Sequence, residues 1–225
     1  SGAVEREGTY IITDNETLSS IVKRAGGYKN NAYTLGGMLT NEKAKILEID
    51  NQKKIYSDLI KLIASNLGSN SFGNNPGNSD QSLGFVLDEL KNYEAIGRIQ
   101  AEFDLNLINQ DSTLDTTLND KDEIFIPNIT QQVYILGEVG SPGAIRYSPK
   151  SNTKNYIKNA GGLTKLSDDS QIYVVSPDGK AELYKSNRFY SDDILIYPGS
   201  VIYIPRKVGS LQGVALAGVL APIFS

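Results

Sequence analysis

Along residues 132–205, apolar and polar positions change in short bursts divided by glycine, proline and asparagine. Gln132-Val133-Tyr134-Ile135-Leu136 is β-branched and aromatic and reads as a strand. Gly137–Gly143, "GEVGSPG", reads as a turn, because proline fixes φ and glycine admits positive φ. Ala144–Tyr147 is the returning strand. The period then changes. Tyr156, Ile157 and Ala160 fall on one helical face, so Asn152–Ala160 reads as a short helix with Ser151 or Asn152 as N-cap. Gly161-Gly162 stops it. Gln171–Val175 and Ala181–Tyr184 flank Ser176-Pro177-Asp178-Gly179, a hairpin turn. Leu195–Pro205, "LIYPGSVIYIP", is a turn followed by a strand. The order is β-β-α-β-β-β.

The same pattern occurs earlier. Shifted by 135 positions, Gly137–Leu163 lies without a gap on Gly2–Tyr28, with Ala160-Gly161-Gly162 on Ala25-Gly26-Gly27. The closing segment Ile196–Pro205 lies on Leu118–Pro127, now at an offset of 78. The difference is an insertion of 57 residues in the first copy. It reads as helical. Lys43–Leu67 carries Ala44, Leu47, Ile55, Leu59, Ile60, Ile63 and Leu67 near helical spacing, after the cap Thr40-Asn41. Gly68–Ser79 reads as a loop, Asp80–Tyr93 as a second helix, and Gly97–Leu107 as a return to strand. Apolar faces on both helices call for covering.

The domain boundaries follow. Residues 1–131 form one repeat with an insertion at about 40–96, residues 132–207 form the second, and 208–225 is an apolar tail. The tail, "LQGVALAGVLAPIF" at its centre, is too short to span a bilayer and reads as an assembly or membrane-proximal element. The counterpart of strand Gln132–Leu136 falls just ahead of Gly2. The first repeat is therefore expected to take its opening strand from another segment or chain. Neither end of the sequence reads as a natural terminus, and any signal peptide is expected upstream.

Composition narrows the chemistry. The 225 residues include no His, Cys or Trp. Imidazole base catalysis, thiolate chemistry, disulfides and zinc knuckles are excluded. No phosphate-binding glycine loop or calcium-loop spacing occurs. Residues 1–131 carry a net charge of −7 and the remainder +3, with no basic stripe for nucleic acid. Catalytic, cofactor and metal residues are expected to be none.

These residues resemble a known family. "GEVGSPGAIRY", "NYIKNAGGL" and "YPGSVIYIP" are similar to the soluble-ligand-binding β-grasp (SLBB) domain. "GAVEREGTYIITDNETLSSIVKRAGGY" and "LNDKDEIFIP" are similar to the same pattern, with Glu7 at the usual proline and Tyr28 at the usual leucine. Tandem copies resemble bacterial polysaccharide (capsule) export proteins of the outer membrane, and the inserted helix resembles their capsule-export subgroup. The resemblance implies an α+β chain of two β-grasp-like repeats, the first carrying a helical insertion. It implies a non-enzymatic part of an export conduit in the periplasm, associated with the outer membrane. The partners it implies are further copies in a ring, the polysaccharide, and an inner-membrane polysaccharide co-polymerase, with the outer membrane reached through the tail or through other regions.

Gly8, Gly26, Gly27, Gly143, Gly161 and Gly162 are read as turn and cap positions. Thirteen tyrosines are present, eight of them in the second repeat. Aromatic faces with polar tips suit sugar rings and interfaces, and also sheet packing. Tyr147, Tyr184, Tyr190 and Tyr197 are the candidate glycan or interface contacts. Two other functions are carried as alternatives. One is a small-ligand-binding β-grasp module, which needs a concave pocket with convergent polar groups. The other is a carboxylate-based glycan-active enzyme, which needs two acids about 5–10 Å apart in a cleft.

Overall fold

The computed structural model describes residues 1–68, 91–92, 94–187, 190–191 and 194–207. In chain order the elements are α1 (Leu18–Arg24), β1 (Met38–Thr40), α2 (Glu42–Gly68), β2 (Arg98–Ile99), α3 (Leu105–Gln110), β3 (Glu123–Phe125), β4 (Gln132–Gly137), β5 (Gly143–Arg146), α4 (Thr153–Asn159), β6 (Ile172–Val175), β7 (Ala181–Tyr184), β8 (Ser186–Asn187), β9 (Tyr190–Ser191) and β10 (Val201–Ile204). The architecture is α+β, with a helix and a sheet around each of two apolar cores and the short α3 also packed on the first.

In the second repeat, alternation becomes burial. Val133 and Ile135 are fully buried, while Tyr134 and Leu136 between and beside them are exposed. The sheet runs β5-β4-β10-β6-β7, with β4 and β10 parallel and the other pairs antiparallel. Asn152 caps α4 by accepting the Asn155 amide at 3.0 Å. Tyr156, Ile157 and Ala160 then face Ile172, Val174, Ile202 and Ile204 in the core. The β6–β7 turn is closed by the Ser176 amide on the Lys180 carbonyl at 2.9 Å and the Asp178 carboxylate on the Lys180 amide at 3.0 Å.

The first repeat uses the same order. Its sheet is β2-β1-β3, with β1 central and antiparallel to both neighbours. Gly2 bridges Ile126 in parallel, as Gly137 does Ile204. Val4 bridges Tyr28, as Val139 does Leu163. Leu18, Ile21, Val22 and Ala25 of α1 and its end pack on Leu39 and Ile126.

The insertion has a definite place. It joins β1 to β2, where the second repeat needs only the tight β6–β7 turn. The expected helix Lys43–Leu67 is observed as α2, one residue longer at each end. Asn41 caps it, its side chain accepting the Lys43 amide at 2.8 Å. Glu48 anchors the far side of the insertion by accepting the Gly97 amide at 2.8 Å.

Three expectations change. The described apolar positions on α2 are only partly covered, with Ala44, Ile49 and Ile55 half-buried but Leu47 65% and Ile60 41% exposed. The return to strand ends at Ile99. Asp104 accepts the Asn106 amide at 2.8 Å and starts α3 instead, which buries Ile108. The opening hairpin of the first repeat forms isolated bridges at Gly2 and Val4 rather than two strands. The loop Gly68–Ser79 beyond its first residue, the tail 208–225, and the helix Asp80–Tyr93 lie outside the described residues, except that Lys91 and Asn92 are helical.

Candidate functional site

The residues that converge outside the two cores lie at the junction of the repeats. Its frame is the chain leaving the first repeat. The Tyr33 amide donates to the Pro127 carbonyl at 2.9 Å, Ala32 bridges Asn128, and the Ile129 amide donates to Asn31 at 3.0 Å. The next residues are held by the second repeat. The Tyr147 amide donates to Gln131 at 2.8 Å and the Gly199 amide to Gln132 at 2.7 Å. Five residues of connection are thus fastened at both ends.

Arg98 crosses the junction. It starts β2, at the end of the insertion, and its guanidinium donates to the Gly37 carbonyl at 3.4 Å and the Pro177 carbonyl at 3.0 Å. Burial lowers its pKa, and nearby Asp178 partly offsets this. Arg98 therefore ties the sheet of the first repeat to the β6–β7 turn of the second. Tyr33 lies at the same junction, near Asp178 as Arg98 does. Burial pushes the Tyr33 phenol up to about 12, reinforced by Tyr147, Tyr197 and Asp178 close by. Its hydroxyl is buried without a hydrogen-bond partner. Gly199 approaches Thr130 and Pro177, so any side chain there would crowd the connection.

The expected tyrosines therefore have different places. Tyr147 and Tyr197 are half-buried and lie close enough to Tyr33 to act on its phenol across the junction. Tyr184 is a core residue, 4% exposed and packed with Ile172 and Ile196, so it is no surface contact. Its alternation on β7 points it inward. Tyr190 lies in β9 opposite Asn187. Arg98, Tyr33 and Pro127 were not singled out from sequence. The matching prolines Pro127 and Pro205, 78 apart, were the available signal that both repeats end on the same path.

The glycines serve the turns. Gly26 and Gly27 end α1, and Gly161 and Gly162 end α4, all with positive φ. The second glycine of each pair donates back into its helix, Gly27 to Val22 and Gly162 to Ile157, both at 2.9 Å. Gly8 and Gly143 open the following segment with free space around them.

Chemically, the junction turns its donors onto backbone carbonyls and links the two repeats. Among the described residues, no group of three or more acids is placed to hold a metal ion. Among the same residues no helix is long and apolar enough to cross a membrane.

The comparisons with known proteins bear on the two repeats. The SLBB domain model matches residues 1–41 and 132–183, which covers the opening of each repeat and both helix-stop glycine pairs. Two proteins of Escherichia coli, each a polysialic acid transport protein KpsD, are similar to this chain. One is 39% identical over 82 residues, 36% of this chain, and the other 39% identical over 112 residues, 49% of this chain. The matched segments span 14% and 18% of those relatives' own lengths. The chain thus carries two segments that match the SLBB domain and is similar, over less than half of its length, to proteins named for polysialic acid transport.

Proposed function

We propose that the chain is a non-enzymatic structural unit of a bacterial polysaccharide-export conduit. It acts by assembling with further copies into a ring through which the polymer passes, in the periplasm and associated with the outer membrane. The observation that carries this reading is the tandem SLBB pair fastened at a fixed junction, in a chain similar to proteins named for polysialic acid transport. A conduit wall needs subunits that keep their shape while neighbours pack on them. Two cores joined by a pinned connection supply that shape.

The working parts are residues 1–131 and 132–207 as the two wall units and 208–225 as an assembly or membrane-proximal element. The passenger is a capsule-type polysaccharide, and an inner-membrane co-polymerase feeds it. Passage needs no bond-making by the chain. The test is imaging of the protein purified from membranes, paired with a capsule assay in a strain lacking it. Rings, together with loss of surface polysaccharide and its accumulation inside the envelope, are expected. Monomers in the membrane extract with surface polysaccharide intact would overturn the proposal.

A further inference from the structure

The charge of the chain is concentrated in two segments of opposite sign. Residues 139–167 carry five Lys or Arg and no acid, while residues 101–125 carry seven Asp or Glu against one lysine. The basic segment builds the helix side of the second repeat. Lys154 and Lys158 stand one turn apart on the exposed side of α4, and Lys150 is exposed just ahead of its cap. Among the described residues, none of these three lysines is in an ion pair. The first repeat has no such row. At the offset of 135, Asn15 and Ser19 stand where Lys150 and Lys154 do.

The acidic segment lies across the start of α1 in the first repeat. The Asp115 carboxylate accepts the Ser19 amide at 3.0 Å and the Ser19 hydroxyl at 2.7 Å. Asp104 and Asp111 start α3 and the turn after it, accepting the amides of Asn106 at 2.8 Å and Thr113 at 3.0 Å. Leu107 and Leu114 are 44% and 40% exposed among these acids. Among the described residues, no ion pair involves residues 101–125. One face thus offers exposed leucines among carboxylates. The other offers lysines, whose alkyl stems lie well on apolar surface while their ammonium groups reach acids.

We propose that the α3 face of one copy, with Asp104, Leu107, Asp111 and Leu114, seats on the Lys150–Lys154–Lys158 face of a second copy. The proposal rests on the ring reading above and names the two faces that meet. A second copy is the occupant because both faces belong to this chain, are opposite in sign, and are left without ion pairs within it. Two different faces meet, so the contact is head-to-tail. An open string of copies leaves one face of each kind free, and a closed ring pairs them all. Contacts between exposed charges are screened by salt, so association is expected to weaken as salt rises.

The test is sedimentation of the full chain at low and high salt. The parent is expected to associate at low salt and to separate at high salt. Lys154→Glu with Lys158→Glu should weaken association by at least about tenfold. Asn109→Lys with Gln110→Lys should do the same from the other side. These two residues are exposed on α3 next to Asp111, and changing them leaves the carboxylate caps in place. Mixed in equal amounts, the two variants should associate again, because the first keeps its α3 face and the second its α4 face. Misfolded variants would not recover in this way. A parent that stays monomeric at low salt, a lysine variant that associates as the parent does, or a mixture that stays apart would each overturn the proposal. Loss of alginate binding by the lysine variant, with self-association intact, would assign the row to an anionic polymer and overturn it too. Rings from membranes that survive Lys154→Glu with Lys158→Glu would remove this contact and leave the ring reading standing. Absence of rings in the parent would remove both.

Discussion

The two repeats carry one set of backbone bonds on two different sets of side chains. Arg6 to Ala25 and Ser141 to Ala160 are amide–carbonyl bonds of 2.8 Å at equivalent places, and Tyr33 to Pro127 and Asp168 to Pro205 are another such pair at 2.9 Å. Side chains around them differ. Where the second repeat buries Ile172, the first has Gly37 and fills the space with the Phe103 ring from the segment before α3. Where the first buries Leu18, the second buries Thr153 with its hydroxyl unpartnered. The backbone path defines the unit, and its core tolerates exchange if volume is conserved.

The borrowed ring is the sharpest point at which to break the comparison. Phe103→Ala should cost about 3–5 kcal/mol by loss of buried area and the cavity left behind. The effect should fall on the first repeat only. Residue-resolved hydrogen exchange under mild denaturant checks this, and equal loss of protection in β4 and β10 would count against two separate cores.

The junction comes next. Arg98→Ala removes a charged donor from two carbonyls and should cost about 1–3 kcal/mol. Its more telling effect is on coupling. Calorimetry should show one transition in the parent and two in the variant. A single transition in both would mean that the connection, and not Arg98, couples the repeats.

Two smaller changes borrow one repeat's solution for the other. Thr153→Val removes a buried, unpaired hydroxyl at the position Leu18 occupies in the first repeat. A gain of about 1 kcal/mol is expected, read from denaturant midpoints with an unchanged slope. Lys121 has a φ of +67°, at the position of Gly199 with +89°. Lys121→Gly should relieve the left-handed backbone and gain about 0.5 kcal/mol, the strain released being partly offset by the entropy of glycine. A loss on that substitution would show that the Lys121 side chain stabilises the turn.

What was legible in the sequence was local. The Ala-Gly-Gly helix stops, the Pro177-Asp178-Gly179 turn and the alternation in β4 each depend on a few adjacent residues, and each formed as read. The 57-residue insertion was legible as a change of offset, though its attachment at a hairpin turn was not. The junction was not legible, because Arg98 and Pro177 are 79 residues apart and belong to different copies. Arg98 carries no motif of its own, and the turn motif around Pro177 does not point to a partner. Phe103 was hidden for a similar reason: it replaces an apolar side chain missing at Gly37, and period-based reading sees only the glycine. Tyr184 was misplaced because tyrosine composition was read without the inward phase of β7.

The Arg98 bridge and the doubly fastened connection are expected to hold the two copies of one fold at one fixed angle. Residual dipolar couplings of the backbone amides in both cores measure this directly. A single alignment tensor should fit β1, β3 and α1 together with β4, β6, β10 and α4. Two tensors of different magnitude or orientation would contradict it and make the Arg98–Pro177 contact an occasional meeting of independent domains.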